Sequence, residues 1–170
     1  LEIEFLKNVQ HENIVSYKDS GELIFESKKF GYLILNFIAG ETLAERISRE
    51  RYENYYDIQQ VVIDVLKGLN YLHNLPEPII HNEITPQNIM LDLSSDVPKA
   101  KIIDFGLGKD LKETQGITQS ICGSPITMAP EIWMNKVDKS NNKPYDFKVD
   151  IWSLGCILYN IYTGVPPFTG

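Results

Sequence analysis

Apolar positions along the chain change their spacing several times, and each change marks an element. Leu1, Phe5, Leu6 and Val9 recur at helical intervals, which predicts a helix that gives way before Asn13-Ile14-Val15. Two strands are expected next, at about Ile14 to Lys18 and Gly31 to Phe37, with Gly21 to Phe30 as a hairpin loop between them. Tyr32-Leu33-Ile34-Leu35 is nearly continuous in apolar character, so the second strand is expected to be covered on both faces. Thr42 and Glu45 have capping-box spacing and open a helix predicted to run to about Arg51. A longer helix carries one apolar stripe, Ile58, Val61, Val62, Val65, Leu66, Leu69 and Leu72, and these residues are read as core. His73 at its end is read as a C-terminal cap, and Pro76-Glu77-Pro78 stops the helix.

Beyond Pro78 the pattern becomes short apolar runs bracketing polar groups. Pro78-Ile79-Ile80, Ile89-Met90-Leu91 and Lys101-Ile102-Ile103 read as short strands. Between and after them come Glu83, Asn88 and Asp104, set on loops at strand ends and held by a stiff scaffold. A carboxamide and a carboxylate converging there are hard oxygen ligands of the type that suits Mg²⁺ carrying phosphates. A further carboxylate beside them can orient a hydroxyl. The plainer reading makes Asn88 a turn residue after Pro86 and Asp104 a turn residue before Gly106. Asp104 to Glu131 is a long polar loop without strong periodicity, a length that usually signals function or disorder. Asn135 to Pro144 reads as a surface loop. Val149, Ile151, Trp152, Leu154, Ile157, Leu158 and Ile161 then cover most faces of one helix, which predicts burial, and Gly164-Val165-Pro166-Pro167-Phe168 ends it.

Composition narrows the function classes. A chain of 170 residues, 43% hydrophobic and 23% charged, fits one ordinary globular domain with a sizeable core. A net charge of -7 argues against nucleic acid or an anionic membrane as the main partner. Cys122 and Cys156 make neither a metal spacing nor a disulfide framework, which fits a reducing, cytoplasmic interior. No signal peptide and no membrane-spanning apolar run is expected, and the sequence holds no internal repeat or low-complexity tract.

The motifs then acquire a common meaning. His81-Asn82-Glu83-Ile84-Thr85-Pro86-Gln87-Asn88, Ile103-Asp104-Phe105-Gly106, Met128-Ala129-Pro130-Glu131 and Asp150-Ile151-Trp152-Ser153-Leu154-Gly155 together resemble, in this order, the eukaryotic-type Ser/Thr protein kinase family. The resemblance runs along essentially the whole chain. It implies an α+β, protein kinase-like fold in truncated form: a partial N-lobe, residues 1–38, with the αC helix and two antiparallel strands, and a mainly helical partial C-lobe, residues 39–170. The chain begins on leucine within a helical pattern. The family's glycine-rich loop and third-strand lysine fall upstream of that helix, so an incomplete kinase domain is expected.

The resemblance also assigns roles. Asn88 and Asp104 stand where the family binds Mg²⁺, and Glu83 where it keeps the carboxylate that accepts the substrate hydroxyl's proton. Glu2 matches the αC glutamate, with Glu4 as its solvent-facing neighbour. Leu35 matches the gatekeeper, and Asn36 and Ile38 the hinge backbone that binds adenine; the alternative there is simply a strand ending at Ala39-Gly40. Met90 matches the position beneath the adenine ring. His81 is expected to pack against Phe105, and Asp150 to tie back to the catalytic-loop backbone. Ser120 matches the phosphosite of the activation segment, and Ser124 the residue that hydrogen-bonds the catalytic carboxylate; Cys122 is read as a small packing residue. Three positions depart from the pattern. Asn82 replaces an arginine that receives the activation-segment phosphate. Glu83 replaces aspartate, and a misplacement of about 1 Å can cost roughly a hundredfold in rate. Thr85 replaces a lysine, and losing one such electrostatic donor costs roughly 3–4 kcal/mol in comparable sites. The expected activity is transfer of phosphate from ATP–Mg²⁺ to serine or threonine of a protein substrate, weak or absent in a piece of this length. The alternative is a pseudokinase that binds nucleotide or acts as a scaffold, and the dullest possibility is an unfolded remnant.

Overall fold

The computed structural model describes residues 2–49, 55–105, 109–110, 125–138 and 144–168; of these, the side chains of residues 2–4, 55–56, 109–110 and 136 are not described. The core is built by three helices closing on a small sheet. Helix α1 (Glu2–Asn8) buries Leu6, and Val9 just past its end joins the same core. Helix α3 (Tyr55–His73) buries Ile58, Val61, Val65, Leu69 and Leu72, as its stripe predicts, while Leu66 stays 40% exposed at the edge of that stripe. Helix α5 (Lys148–Thr163) contributes Leu154, Ile157 and Ile161 to this core. Its other side leaves Ile151, Trp152, Leu158, Tyr159 and Tyr162 exposed, so among the described residues it is not covered on most faces.

The central sheet orders three strands as β3 (Gly40–Thr42), β5 (Ile89–Asp92) and β6 (Lys99–Ile102), all antiparallel. Gly40 is required where β3 meets β5, because a Cβ there would overlap the Leu91 carbonyl oxygen. Helix α3 lies against β6, and a Cβ on Gly68 would approach Ile102 Cδ1 to 2.9 Å. The Asn13-Ile14-Val15 segment does not begin a hairpin strand as the pattern suggested. It runs parallel to β6 instead: Ile102 N–H donates to Asn13 O and Val15 N–H to Ile102 O, both at 2.9 Å.

The hairpin itself differs from expectation. Strands β1 (Tyr17–Phe25) and β2 (Lys28–Leu35) pair along almost their full length, so the segment read as a loop is mostly strand. Only Glu26 and Ser27 turn the chain, at φ 48° and 63°. Two successive positive φ values match the right-handed twist of the flanking strands. The second strand is not covered on both faces: Leu33 and Leu35 pack against the core, while Ile34 is 44% exposed.

Helix α2 (Leu43–Arg49) starts with the expected capping box: Glu45 N–H donates to Thr42 Oγ1 at 3.2 Å and Thr42 N–H to Glu45 Oε2 at 2.8 Å. Strand β4 (Ile79–Ile80) pairs with β7 (Lys109–Asp110). Helix α4 (Pro130–Val137) takes in the end of the segment read as loop and the start of the insertion. Asn135, expected at the surface, is 2% exposed. A second, smaller core joins Ile80, Met128, Ala129, Ile132, Tyr145 and Val149.

Candidate active site

The site is centred on the turn that links β4 to β5. After Ile80 the chain leaves its strand, and the amides of His81 and Asn82 must find acceptors away from water. Asp150, fully buried in the first turn of α5, supplies both: His81 N–H donates to Asp150 Oδ2 and Asn82 N–H to Asp150 Oδ1, each at 2.9 Å. The same carboxylate meets His73 Nε2 at 2.8 Å. His73 is therefore not the helix cap expected of it; it turns inward, stacks on Phe147 and braces the aspartate. One buried acid thus clasps α3, the loop and α5.

His81 is fully buried against Phe105, with ring centroids 4.9 Å apart. Glu83 N–H donates to His81 Nδ1 at 3.3 Å, which leaves Nε2 to carry the proton and donate to Ile103 O at 3.3 Å. Both ring nitrogens are used by the neutral imidazole, and burial holds its pKa below the ordinary value. Asn82 adopts φ 65°, a conformation asparagine tolerates better than most residues. Its Oδ1 accepts from Tyr145 O–H at 3.2 Å. Neither Tyr145 nor His73 was singled out for the site in the sequence, since each is joined to it by a bond spanning more than sixty residues.

A 3₁₀ turn, Pro86–Asn88, closes the loop, with Asn88 N–H donating to Thr85 O at 3.0 Å. Asn88 Nδ2 donates to Glu83 O, also at 3.0 Å, which leaves Oδ1 as the amide's acceptor end. The pairing of Ile89 with Ile102 continues one step further, where Ile103 N–H donates to Asn88 O at 2.9 Å. Asp104 follows at once, exposed and at φ 63°. Backbone held in this sparsely populated region is typical of functional loops. Glu83 is half-buried; burial first, and the Asp104 charge second, push its carboxyl pKa up from the ordinary value. The structure thus brings Glu83, Asn88 and Asp104 to one corner. Their donors are a carboxamide and carboxylates, the oxygen set that suits Mg²⁺.

The other expected site residues lie elsewhere in the described part or outside it. Met90 is half-buried on the face of β5 opposite Ile89 and Leu91. Asn36 follows β2 directly, and its N–H donates inward to Ser16 O at 2.9 Å. Ile38 packs against the main core, and Ala39 O accepts from Leu93 N–H. Glu2 lies in α1, but its side chain is not described. Ser120, Cys122, Ser124 and Gly106 fall outside the described residues. Thr85 is buried and offers a hydroxyl where the resemblance would place a lysine.

Comparison with known proteins agrees with this geometry. Residues 1–170 match the family model described as the protein kinase domain. The chain is 36% identical over 167 residues to the serine/threonine-protein kinase TIO of Arabidopsis thaliana, covering 98% of this chain and 11% of that protein. It is 32% identical over 170 residues to myosin light chain kinase A of Dictyostelium discoideum, covering 100% of this chain and 53% of that protein. The chain thus spans only part of the length of these relatives. With an α+β architecture, a His81–Phe105 contact under the loop and an Asp150 clasp behind it, the chain belongs to the protein kinase domain family.

Proposed function

We propose that the protein containing this chain is a serine/threonine kinase, moving the γ-phosphoryl group of ATP to a hydroxyl of a protein substrate. In this reading residues 1–38 form the N-lobe part and residues 39–170 the C-lobe part. The observation that carries the reading is the convergence of Glu83, Asn88 and Asp104, in which burial first and the Asp104 charge second raise the Glu83 pKa and Asn88 is bonded to both flanking segments. Asn88 Oδ1 and the Asp104 carboxylate would hold Mg²⁺, which when bound neutralises charge on the nucleotide phosphates. Glu83 orients the incoming hydroxyl and accepts its proton. The backbone of Asn36 and Ile38 takes the adenine, Met90 lies beneath it, and Glu2 and Ser124 take the supporting roles their motif positions imply. The test is labelled phosphate transfer by the full-length protein with ATP and Mg²⁺. Transfer that falls to background in Glu83→Ala and Asp104→Ala supports the proposal, and wild-type transfer no higher than those variants overturns it.

A second reading, a pseudokinase that binds nucleotide and acts through its shape, is favoured by two features. Thr85 presents no cation toward the site, and the Asn82 side chain is engaged by Tyr145. Restoring the shorter acid separates the two. Glu83→Asp leaves turnover flat in a pseudokinase, whereas a gain of about tenfold or more marks a working site that was detuned.

A further inference from the structure

The turn that carries Glu83 is held from two sides. Asp150 takes the backbone, through the amides of His81 and Asn82 at 2.9 Å each. The Asn82 side chain is held separately, its Oδ1 accepting from Tyr145 O–H at 3.2 Å. A fixed ring delivers that hydroxyl. Tyr145 is 4% exposed and packs in the smaller core with Met128, Ala129, Ile132 and Val149, and with Ile80, two residues ahead of Asn82. Side chains in such close packing sit in defined rotamers, so the oxygen arrives at a set point. Both partners are buried, and water does not compete for the bond.

The second hold matters because of where it grips. Asn82 stands at φ 65°, outside the broad basins of backbone conformation, and the next residue is Glu83. A small rotation at Asn82 therefore swings the glutamate. The backbone bond of Glu83 itself is long: its N–H donates to His81 Nδ1 at 3.3 Å, where ordinary N–H bonds fall at about 2.7–3.2 Å. Much of the restraint on how the chain enters Glu83 thus falls to Asn82, and half of the grip on Asn82 is the Tyr145 hydroxyl.

We propose that Tyr145 is a positioning residue for phosphate transfer: its hydroxyl fixes the Asn82 side chain and, through it, aims the Glu83 carboxylate at the substrate hydroxyl. The inference rests on the kinase reading above and adds a residue that lies outside the reacting groups. The test uses the full-length protein, Tyr145→Phe, Asn82→Gly and the double variant. Phenylalanine keeps the ring in its core, and glycine tolerates the positive φ while deleting the acceptor. Losing the hydroxyl should lower kcat for labelled phosphate transfer by about tenfold, with KM for ATP and for peptide within about twofold, since the groups that bind them are not moved. On the Asn82→Gly background the same change should have no further effect. Asn82→Asp keeps an oxygen for the hydroxyl and should retain more kcat than Asn82→Gly, a comparison that serves should Tyr145→Phe fail to fold. Hydrogen exchange reads the hold without turnover: the Asn82 and Glu83 amides should exchange about tenfold faster in Tyr145→Phe, with the β1–β2 hairpin unchanged.

A kcat unchanged in Tyr145→Phe, or a loss that adds in full to that of Asn82→Gly, overturns the positioning role and leaves the kinase reading standing. No transfer by the wild-type protein overturns the kinase reading, and exchange then decides the Tyr145 hold by itself: faster exchange supports it and unchanged exchange overturns it.

Discussion

His81 and Asn82 give their amides to a carboxylate 69 and 68 positions away, whereas in the β1–β2 hairpin Gly21 pairs with Tyr32 only eleven residues on. The two regions differ as much in burial. Around the loop, His81, Phe105 and Asp150 are all at 0% exposure; at the hairpin tip, Ile24 is 78% and Phe25 61% exposed. The hairpin is thus set by its own turn and ladder, and the side chains at its tip can vary with little effect on anything else. The loop has no such independence. Its shape is imposed by groups from α3, β6 and α5, so its geometry is only as good as the packing of the whole core.

That contrast can be broken most sharply at Asp150. Asp150→Ala leaves two buried amides without acceptors and His73 without its partner, and should cost about 3–5 kcal/mol by urea denaturation. Gly40→Ala forces a methyl onto the Leu91 carbonyl and should cost about 1–3 kcal/mol in the same measurement. Acid gives a smaller loss. His81 is held neutral by burial, so below its ordinary pKa of 6.5 the unfolded chain takes up the proton first. Stability should be flat above that pH and fall as the pH drops below it; His11, whose pKa burial also lowers, acts in the same direction. A urea midpoint lower at pH 5.5 than at pH 7.5 is the expected result. At the hairpin, Ile24→Ser should change stability by less than about 0.5 kcal/mol, since the side chain loses little that it had. A large loss there would show that the hairpin tip is not the independent unit its exposure suggests.

Much of this was legible in the residues themselves. The stripe of α3 and the Thr42–Glu45 box announce their elements because helical period and cap chemistry are local. The short strands around Asn88 and Asp104 were legible as apolar runs between polar clusters. The hairpin was legible but its extent was not, because Glu26-Ser27 lacks the usual Asn-Gly or Asp-Gly turn signal and charged residues interrupt its strands. Nor was the short β3, since Gly40 read as the end of the preceding strand and Thr42 as a helix cap; only the fit against Leu91 explains Gly40. His73 was misread for a further reason. A histidine at a helix end has a ready local explanation, and its actual partner, Asp150, lies 77 residues away. The burial of Asn135 belongs to the same class, since a polar residue in a polar stretch gives no sign that a helix will turn it inward.

The Asp150 clasp also sets an order of events at the ribosome. The amides it holds are synthesised almost seventy residues before the carboxylate itself, an interval of roughly 3–14 seconds at common translation rates. During that interval the two amides have no acceptor to fix the shape of the loop. Its final geometry therefore arrives late and all at once, when α5 emerges and closes on segments that have been waiting for it.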